Sequence, residues 1–263
     1  MLGFIGFGNM AGAIVQGIID KKVVKPEEII VSRRDMDKLS SAKEKFGIAV
    51  TTDNKEVAKK ADVIVLAVKP QMLPQVIGEI KETITEDTLI ISIAAGKSID
   101  WICTEFGKDL KIIRCMSNTP ALVGEGCSGI CVSKLVNDDD KAFAMSMFNS
   151  LGLAIEVPEN QMDIVVGVSG SSPAYVFMFM EAMADAAVVA GMPRKQAYQF
   201  VAQAVMGSAK LMLETGKHPG ELKDMVCSPG GTTIEAVKVL EEKGLRAAVM
   251  DATLSCIDKS RKL

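Results

Sequence analysis

In 263 residues the chain has one histidine, His218. A single imidazole cannot supply a His-rich metal centre, nor the His pair of a mixed zinc site. There are six cysteines, but Cys127 and Cys131, spaced C-x3-C, have no second pair to complete a four-ligand set. No metal is expected. In a chain of this length with no secretory leader, the thiols read as free ones in a reducing compartment. Charge of one sign is also scarce: 30 Lys and Arg stand against 33 Asp and Glu, a net charge of −3. That balance argues against a nucleic-acid partner or a polybasic attachment to an anionic membrane. The opening residues Met1-Leu2-Gly3-Phe4-Ile5-Gly6 carry no basic n-region, so no targeting segment is expected and the protein is placed in the cytoplasm. Long apolar runs are few. Ile164 to Met180 has no formal charge, but it is short for a membrane span and is interrupted by Gly170-Ser171-Ser172-Pro173. A helix buried in a core or a subunit interface explains it, and no membrane contact is expected.

What is present has two characters. In the first part, short apolar runs (Leu2–Ile5, Ile29–Val31, Val63–Val68, Leu89–Ile93, Lys111–Cys115, Ile130–Val132) alternate with helical patterns such as Met10–Ile19, Met36–Phe46 and Leu73–Ile84. This alternation predicts a Rossmann-type, doubly wound parallel sheet, an α/β fold. Runs as continuously apolar as Val63–Val68 suit strands covered on both faces. After about Val157 only helical patterns remain, punctuated by Gly191-Met192-Pro193, Pro219, Ser228-Pro229-Gly230-Gly231 and Gly244. Two domains follow: a dinucleotide-binding domain over residues 1–158 and an all-α domain over 159–263.

Nine of the sixteen methionines fall in that second part, and the predicted helix Ala174–Ala190 is apolar on nearly every side. A helix with no polar face has to be surrounded. About a hundred residues offer too little core for that, so a second subunit is expected to cover it. A monomeric helical core that uses methionine as filler is the alternative.

Gly6-Phe7-Gly8-Asn9-Met10-Ala11 reads G-x-G-x-x-A, directly after the first apolar run and at the start of a helical pattern. Gly6 permits a tight turn, Gly8 admits a pyrophosphate against the backbone, and Ala11 allows close helix–strand packing. The helix N-terminus favours the anion. A plain strand–helix turn could use the same residue types, but its place at the first strand of an alternating chain favours a dinucleotide. The second strand ends Val31-Ser32-Arg33-Arg34, where an NAD site carries a carboxylate for the ribose 2′-hydroxyl. One hydroxyl and two guanidiniums suit a 2′-phosphate instead, so NADPH is expected, with NADH weaker. A solvated arginine pair is the alternative. Asp35, one position on, reads as the cap of the next helix. Ala67-Val68-Lys69-Pro70 and Ala94-Ala95-Gly96 follow later strands at the carboxyl edge, where such sheets bind ligands. Lys69 there serves a phosphate or ribose, or is a surface lysine.

In the second part, Cys227-Ser228-Pro229-Gly230-Gly231-Thr232-Thr233-Ile234 enters a helix through two glycines and two hydroxyls. Backbone N–H groups, the helix dipole and the hydroxyls make a cup for a small carboxylate. An ordinary N-cap by Thr232 or Thr233 is the competing reading. An alcohol dehydrogenase needs a base for the hydroxyl proton. The segment Gly167-Val168-Ser169-Gly170-Ser171-Ser172-Pro173-Ala174-Tyr175 holds none, and the next cations are Arg194 and Lys195. An imine can bind already protonated, so hydroxyls and backbone donors suffice for its reduction.

With these residues assembled, the chain resembles the pyrroline-5-carboxylate reductase family over nearly its whole length. The match is carried by Ala67-Val68-Lys69-Pro70, Arg114-Cys115-Met116-Ser117-Asn118-Thr119-Pro120, Ser169 to Tyr175, His218-Pro219-Gly220 and Ser228 to Ile234. The resemblance implies hydride transfer from NAD(P)H to the imine carbon of L-1-pyrroline-5-carboxylate, yielding L-proline in the last step of its biosynthesis. It implies cofactor contacts from Ile5, Gly6, Phe7, Gly8, Asn9 and Met10, from Ser32 and Asn54, and from Ala67, Val68, Lys69, Pro70, Ala94 and Ala95. It maps the substrate carboxylate onto Ser228, Gly230, Gly231, Thr232 and Thr233, and gives the Thr233 hydroxyl the bond to the ring nitrogen. Glu159 matches an acidic residue near the substrate. Homodimers through interlocked helical domains, assembled as a pentamer of dimers, are implied as well. Two positions depart from the family pattern: Ser172 stands where a second glycine is usual, and Ser117 where a proline is usual. A hydroxyacid dehydrogenase of the same plan would need a lysine base that the segment from Gly167 to Tyr175 lacks; a silent NADPH-binding sensor would have no use for the carboxylate cup.

Overall fold

The computed structural model describes residues 1–262. Eight strands form one sheet: β1 (Leu2–Ile5), β2 (Ile29–Ser32), β3 (Ala49–Thr51), β4 (Val63–Leu66), β5 (Leu89–Ser92), β6 (Lys111–Met116), β7 (Gly126–Val132) and β8 (Gly152–Glu156). Their order is β3-β2-β1-β4-β5-β6-β7-β8. Helices α1 (Asn9–Asp20), α2 (Met36–Phe46), α3 (Asn54–Lys60), α4 (Leu73–Ile80), α5 (Ile99–Phe106) and α6 (Asp138–Asn149) alternate with them. This is the doubly wound α/β plan, with the strand order reversing between β1 and β4.

Neighbouring strands run parallel except β6 and β7, which are antiparallel. The connection explains the exception: residues 117–125 are too few for the crossover that parallel neighbours need. β3 and β8 are strands the apolar runs did not mark.

The sheet is covered on both faces, and β1 shows how. Leu2 and Phe4 join a cluster with Ile14, Ile18, Leu39 and Phe148 from α1, α2 and α6. Ile5 points the other way, into Leu66, Leu73, Ile77 and Ile102. The period of two along the strand thus feeds two apolar layers. Side-chain caps start several helices: Asp35 Oδ1 accepts from Lys38 N at 3.2 Å, as its position predicts, and Asn137 Oδ1 accepts from Asp140 N at 2.8 Å.

Two compact units divide the chain: residues 1–171 with the tail from Cys256, and residues 172–255. The division expected after residue 158 falls just past β8. Beyond it, the short α7 (Met162–Val165) packs on the sheet. A Cβ on Gly129 of β7 would come within 2.8 Å of Val165. A π-helical turn, Val166–Gly170, follows α7. Ser260 Oγ donates to Asp163 Oδ1 at 2.6 Å, fastening the tail to the same unit.

The second unit contains α8 (Ser172–Val189), α9 (Arg194–Thr215), α10 (Pro219–Val226), α11 (Thr232–Glu242) and most of α12 (Leu245–Ser260). Among its described residues only Ala184, Ala197 and Val201 are buried. Phe177 is 62% exposed, Phe200 67%, Leu213 77% and Val189 90%. An uncovered apolar surface of that extent marks an interface. By length and composition Glu159–Val189 could also cross a membrane, but the π turn breaks the run.

Candidate active site

At the carboxyl edge, where the strand order reverses between β1 and β4, a cleft of about 390 Å³ opens. Gly6, Phe7, Gly8, Ser32, Arg33, Arg34, Asn54, Val68 and Lys69 line it, nine of the residues expected to hold a cofactor. Gly6 has φ +91°, and a Cβ there would lie 2.7 Å from the Ala67 carbonyl oxygen. Only glycine fits this turn. Gly8 faces open space and precedes α1, whose N-terminus no side chain caps. Its first N–H groups and the positive end of the dipole are thus available to a pyrophosphate.

The ribose end is built on β2. Ser32 is fully buried, and its hydroxyl donates to Asn54 Oδ1 at 2.6 Å. Asn54 Nδ2 donates in turn to Glu79 Oε2 at 2.7 Å. The Arg33 guanidinium donates to the Phe7 carbonyl, tying the end of β2 to the glycine turn, while Arg34 is exposed. No carboxylate ends β2, and Arg33 and Arg34 place two cations there. These residues fit NADPH.

The other expected residues stand around this cleft rather than in it. Ile5 is buried in the sheet, with its carbonyl accepting from Ala67 N at 2.9 Å. Asn9 lines a neighbouring groove with Lys38 and Lys45. Met10 packs on the α1 side of the sheet, and Pro70 begins a short 3-10 turn. Ala94 and Ala95 form the loop after β5, beyond the point of reversal. Thr52, Met72, Val76 and Glu79 line the cleft unforeseen. The last three sit at i, i+4 and i+7, one helical face, and that spacing was the available signal.

In the second unit, Gly231 precedes α11 with no side-chain cap. Neither Thr232 nor Thr233 satisfies the first N–H groups as an ordinary cap would. Gly230 is left-handed at φ +67°, and Gly231 N donates to the Ser228 carbonyl at 3.0 Å. The turn leaves the start of α11 and its two hydroxyls open. His218 Nδ1 accepts from Gly220 N at 3.1 Å and so caps α10; the one imidazole is structural here.

Glu159 begins a short 3-10 turn, Glu159–Gln161, after β8. Its Oε1 accepts from Ile99 N at 2.7 Å and lies 3.4 Å from Arg114 Nη1. Arg114 is 5% exposed. Ser117, at the position that departs from the family pattern, has its Oγ 3.0 Å from Ser128 Oγ. Asn118 beside it donates to the Ser169 carbonyl at 3.0 Å and accepts from Cys127 N at 2.9 Å, linking this loop to the π turn.

Two family profiles cover most of the chain. Residues 159–263 match pyrroline-5-carboxylate reductase dimerisation, and residues 1–96 match NADP oxidoreductase, coenzyme F420-dependent. The pyrroline-5-carboxylate reductase of Escherichia coli K12 is 54% identical over 262 residues, covering 100% of this chain and 97% of the relative. That of the archaeon Methanosarcina acetivorans is 45% identical over the same shares. Among solved structures, the Coxiella burnetii pyrroline-5-carboxylate reductase superposes with TM-score 0.94 at 40% identity, over 99% of this chain and 97% of that one. The Plasmodium falciparum pyrroline carboxylate reductase, solved with NADP bound, gives 0.89 at 34% over 99% and 97%.

Proposed function

This chain belongs to the pyrroline-5-carboxylate reductase family, and we propose how its residues divide the work of that family's reaction. It is an NAD(P)H-dependent oxidoreductase that reduces L-1-pyrroline-5-carboxylate to L-proline, the last step of proline biosynthesis. The single observation that carries the assignment is whole-length identity of 54% to a pyrroline-5-carboxylate reductase.

The glycine turn and the start of α1 hold the pyrophosphate, and Arg33 and Arg34 hold the 2′-phosphate beside the wall that Ser32 and Asn54 fix, which supports NADPH over NADH. Bound there, the dinucleotide supplies the hydride that turns the C=N bond into C–N. Gly230 and Thr232 offer backbone N–H groups, and Ser228 a hydroxyl, to the substrate carboxylate, while Gly231 N, held by the Ser228 carbonyl, shapes the turn. The uncapped start of α11 supports that role. The Thr233 hydroxyl bonds to the ring nitrogen. An imine that enters protonated needs no acid from the protein, which suits a segment of hydroxyls without lysine or histidine.

The chain self-associates through its helical domain. We take the homodimer as the unit and a pentamer of dimers as the larger assembly, with the apolar surface of α8 and α9 between copies rather than in a membrane. Six free thiols support a reducing, cytoplasmic setting. Following nucleotide oxidation with pyrroline-5-carboxylate, with NADPH and NADH in parallel, tests the whole reading. Turnover of hydroxyacids without imine reduction would overturn it.

A further inference from the structure

We propose that Glu159 is a positioning residue for the dinucleotide, holding the loop of residues 94–98 through Ile99, with buried Arg114 as its counter-ion. The inference rests on the reduction proposed above and refines the cofactor side of that site.

Ile99 is the first residue of α5, and its N–H is one that no helical carbonyl can take. Glu159 takes it from 60 residues away, at 2.7 Å, while Ser98 Oγ takes Trp101 N at 3.0 Å. A carboxylate at a helix N-terminus also meets the positive end of the dipole. Residues 94–98 run from the end of β5 into this start. They leave the strand with Ala94 N on Ser92 Oγ at 3.4 Å and turn at Gly96, where φ is +71°. The far end of the loop is therefore set by where α5 begins, and Glu159 sets that point. β5 lies past the reversal between β1 and β4, in the half of such a sheet that faces the second mononucleotide, the nicotinamide half.

Arg114 explains why the tie is a carboxylate. It is 5% exposed, its Nε has no hydrogen-bond partner, and among the described residues Glu159 is the acid within ion-pair reach. Each charge is poorly placed without the other. Glu159 also faces a hollow of about 450 Å³ lined by Ile99, Asp100, Cys103 and Leu110, and none of these lines the 390 Å³ cofactor cleft. Its role is thus indirect.

Trp101 is the only tryptophan and sits in the first turn of α5, so its emission reports on this helix start. The experiment compares wild type, Glu159→Gln and Glu159→Ala, measuring KM for each substrate, kcat, and Trp101 emission during titration with NADP⁺. The glutamine carbonyl still accepts from Ile99, whereas alanine cannot. Glu159→Ala should raise KM for NADPH by about tenfold, the scale of one hydrogen bond to a charged group. KM for the imine should stay unchanged, and Trp101 emission should shift. Glu159→Gln should recover most of the NADPH affinity. A rise in KM for the imine alone, with wild-type emission, would make Glu159 a substrate ligand and overturn the proposal. So would wild-type values throughout. Because Glu159→Ala strands Arg114, the double variant Arg114→Met with Glu159→Ala checks folding. It should still bind NADP⁺ weakly, and wild-type affinity in it also rejects the proposal. Failure of the wild type to reduce the imine would sink the proposed reaction instead, while the NADP⁺ titration would still decide the role of Glu159.

Discussion

Ser32 and Asn54 are joined by a 2.6 Å hydrogen bond between the end of β2 and the start of α3. The serine is wholly buried, and the asparagine amide is held from its other side by Glu79 at 2.7 Å. Gln75 Nε2 in turn donates to Glu79 Oε1 at 2.9 Å. This chain of bonds fixes the wall of the cleft against which Arg33 and Arg34 place their charges. A preset polar wall costs a ligand less ordering than a loose one.

Cofactor choice follows from that wall. Replacing Arg33 and Arg34 together by alanine should raise KM for NADPH far more than KM for NADH. Each charge-assisted contact contributes about 1.5–3 kcal/mol, roughly ten- to a hundredfold. Initial rates with the two nucleotides measure the difference. Equal losses would mean that the guanidiniums do not touch the 2′-phosphate.

Assembly is tested on α8. Phe177 is 62% and Phe179 43% exposed in the single chain, and the interface reading buries both between copies. Phe177→Glu or Phe179→Glu would leave an unpaired charge there, at a cost of several kcal/mol. Sedimentation should show dissociation or loss of folded protein. A stable, active monomer of the unaltered chain would refute the interface.

Alkaline stability should report on Cys131. Burial, and then the Glu159 charge, push its thiol up to about 11, with Arg114 pulling the other way. Burial also raises Cys115, on the neighbouring strand. The folded state therefore favours the neutral thiol, while the unfolded chain ionises at the ordinary value near 8.5. Stability from this source is complete below that value and is lost as pH climbs toward 11. Urea midpoints at pH 7.5 and 10.5 should fall less between the two for Cys131→Ala than for the wild type. Identical falls would exclude the effect.

Some of this was legible in the residues because burial leaves a pattern. β1, β2 and β5 are covered on both faces and read as continuous apolar runs, and the glycine turn between β1 and α1 shows in its spacing. β3 has only Ala49, Val50 and Thr51, none of them buried, so no run marks it. β8 is an edge strand that leaves Leu153 and Ile155 exposed, and nothing in Gly152–Glu156 separates it from a loop. Glu79 reaches the cleft only because α4 turns that face inward. Glu159 was expected near the substrate from the family resemblance alone, and the bond its carboxylate accepts from Ile99, 60 residues away, is one that no local pattern signals.

Thr233 carries the last prediction, on catalysis. Its hydroxyl stands in the first turn of α11, where Gly231 leaves the N–H groups uncapped. The competing role, helix capping, would need the threonine oxygen to accept one of those N–H groups, and no such cap forms. Valine at this position keeps the shape and removes the hydroxyl; serine keeps the hydroxyl. A single preorganised bond to the ring nitrogen contributes roughly 1.5–4 kcal/mol to the transition state. Thr233→Val should therefore lower kcat/KM by about ten- to a thousandfold, and Thr233→Ser should keep most activity. NADPH affinity should stay near wild type in both, because the nucleotide contacts assigned above all lie in the first domain. Steady-state kinetics with pyrroline-5-carboxylate, together with a nucleotide titration, separate these effects. Wild-type turnover by Thr233→Val would leave the threonine no part in the chemistry.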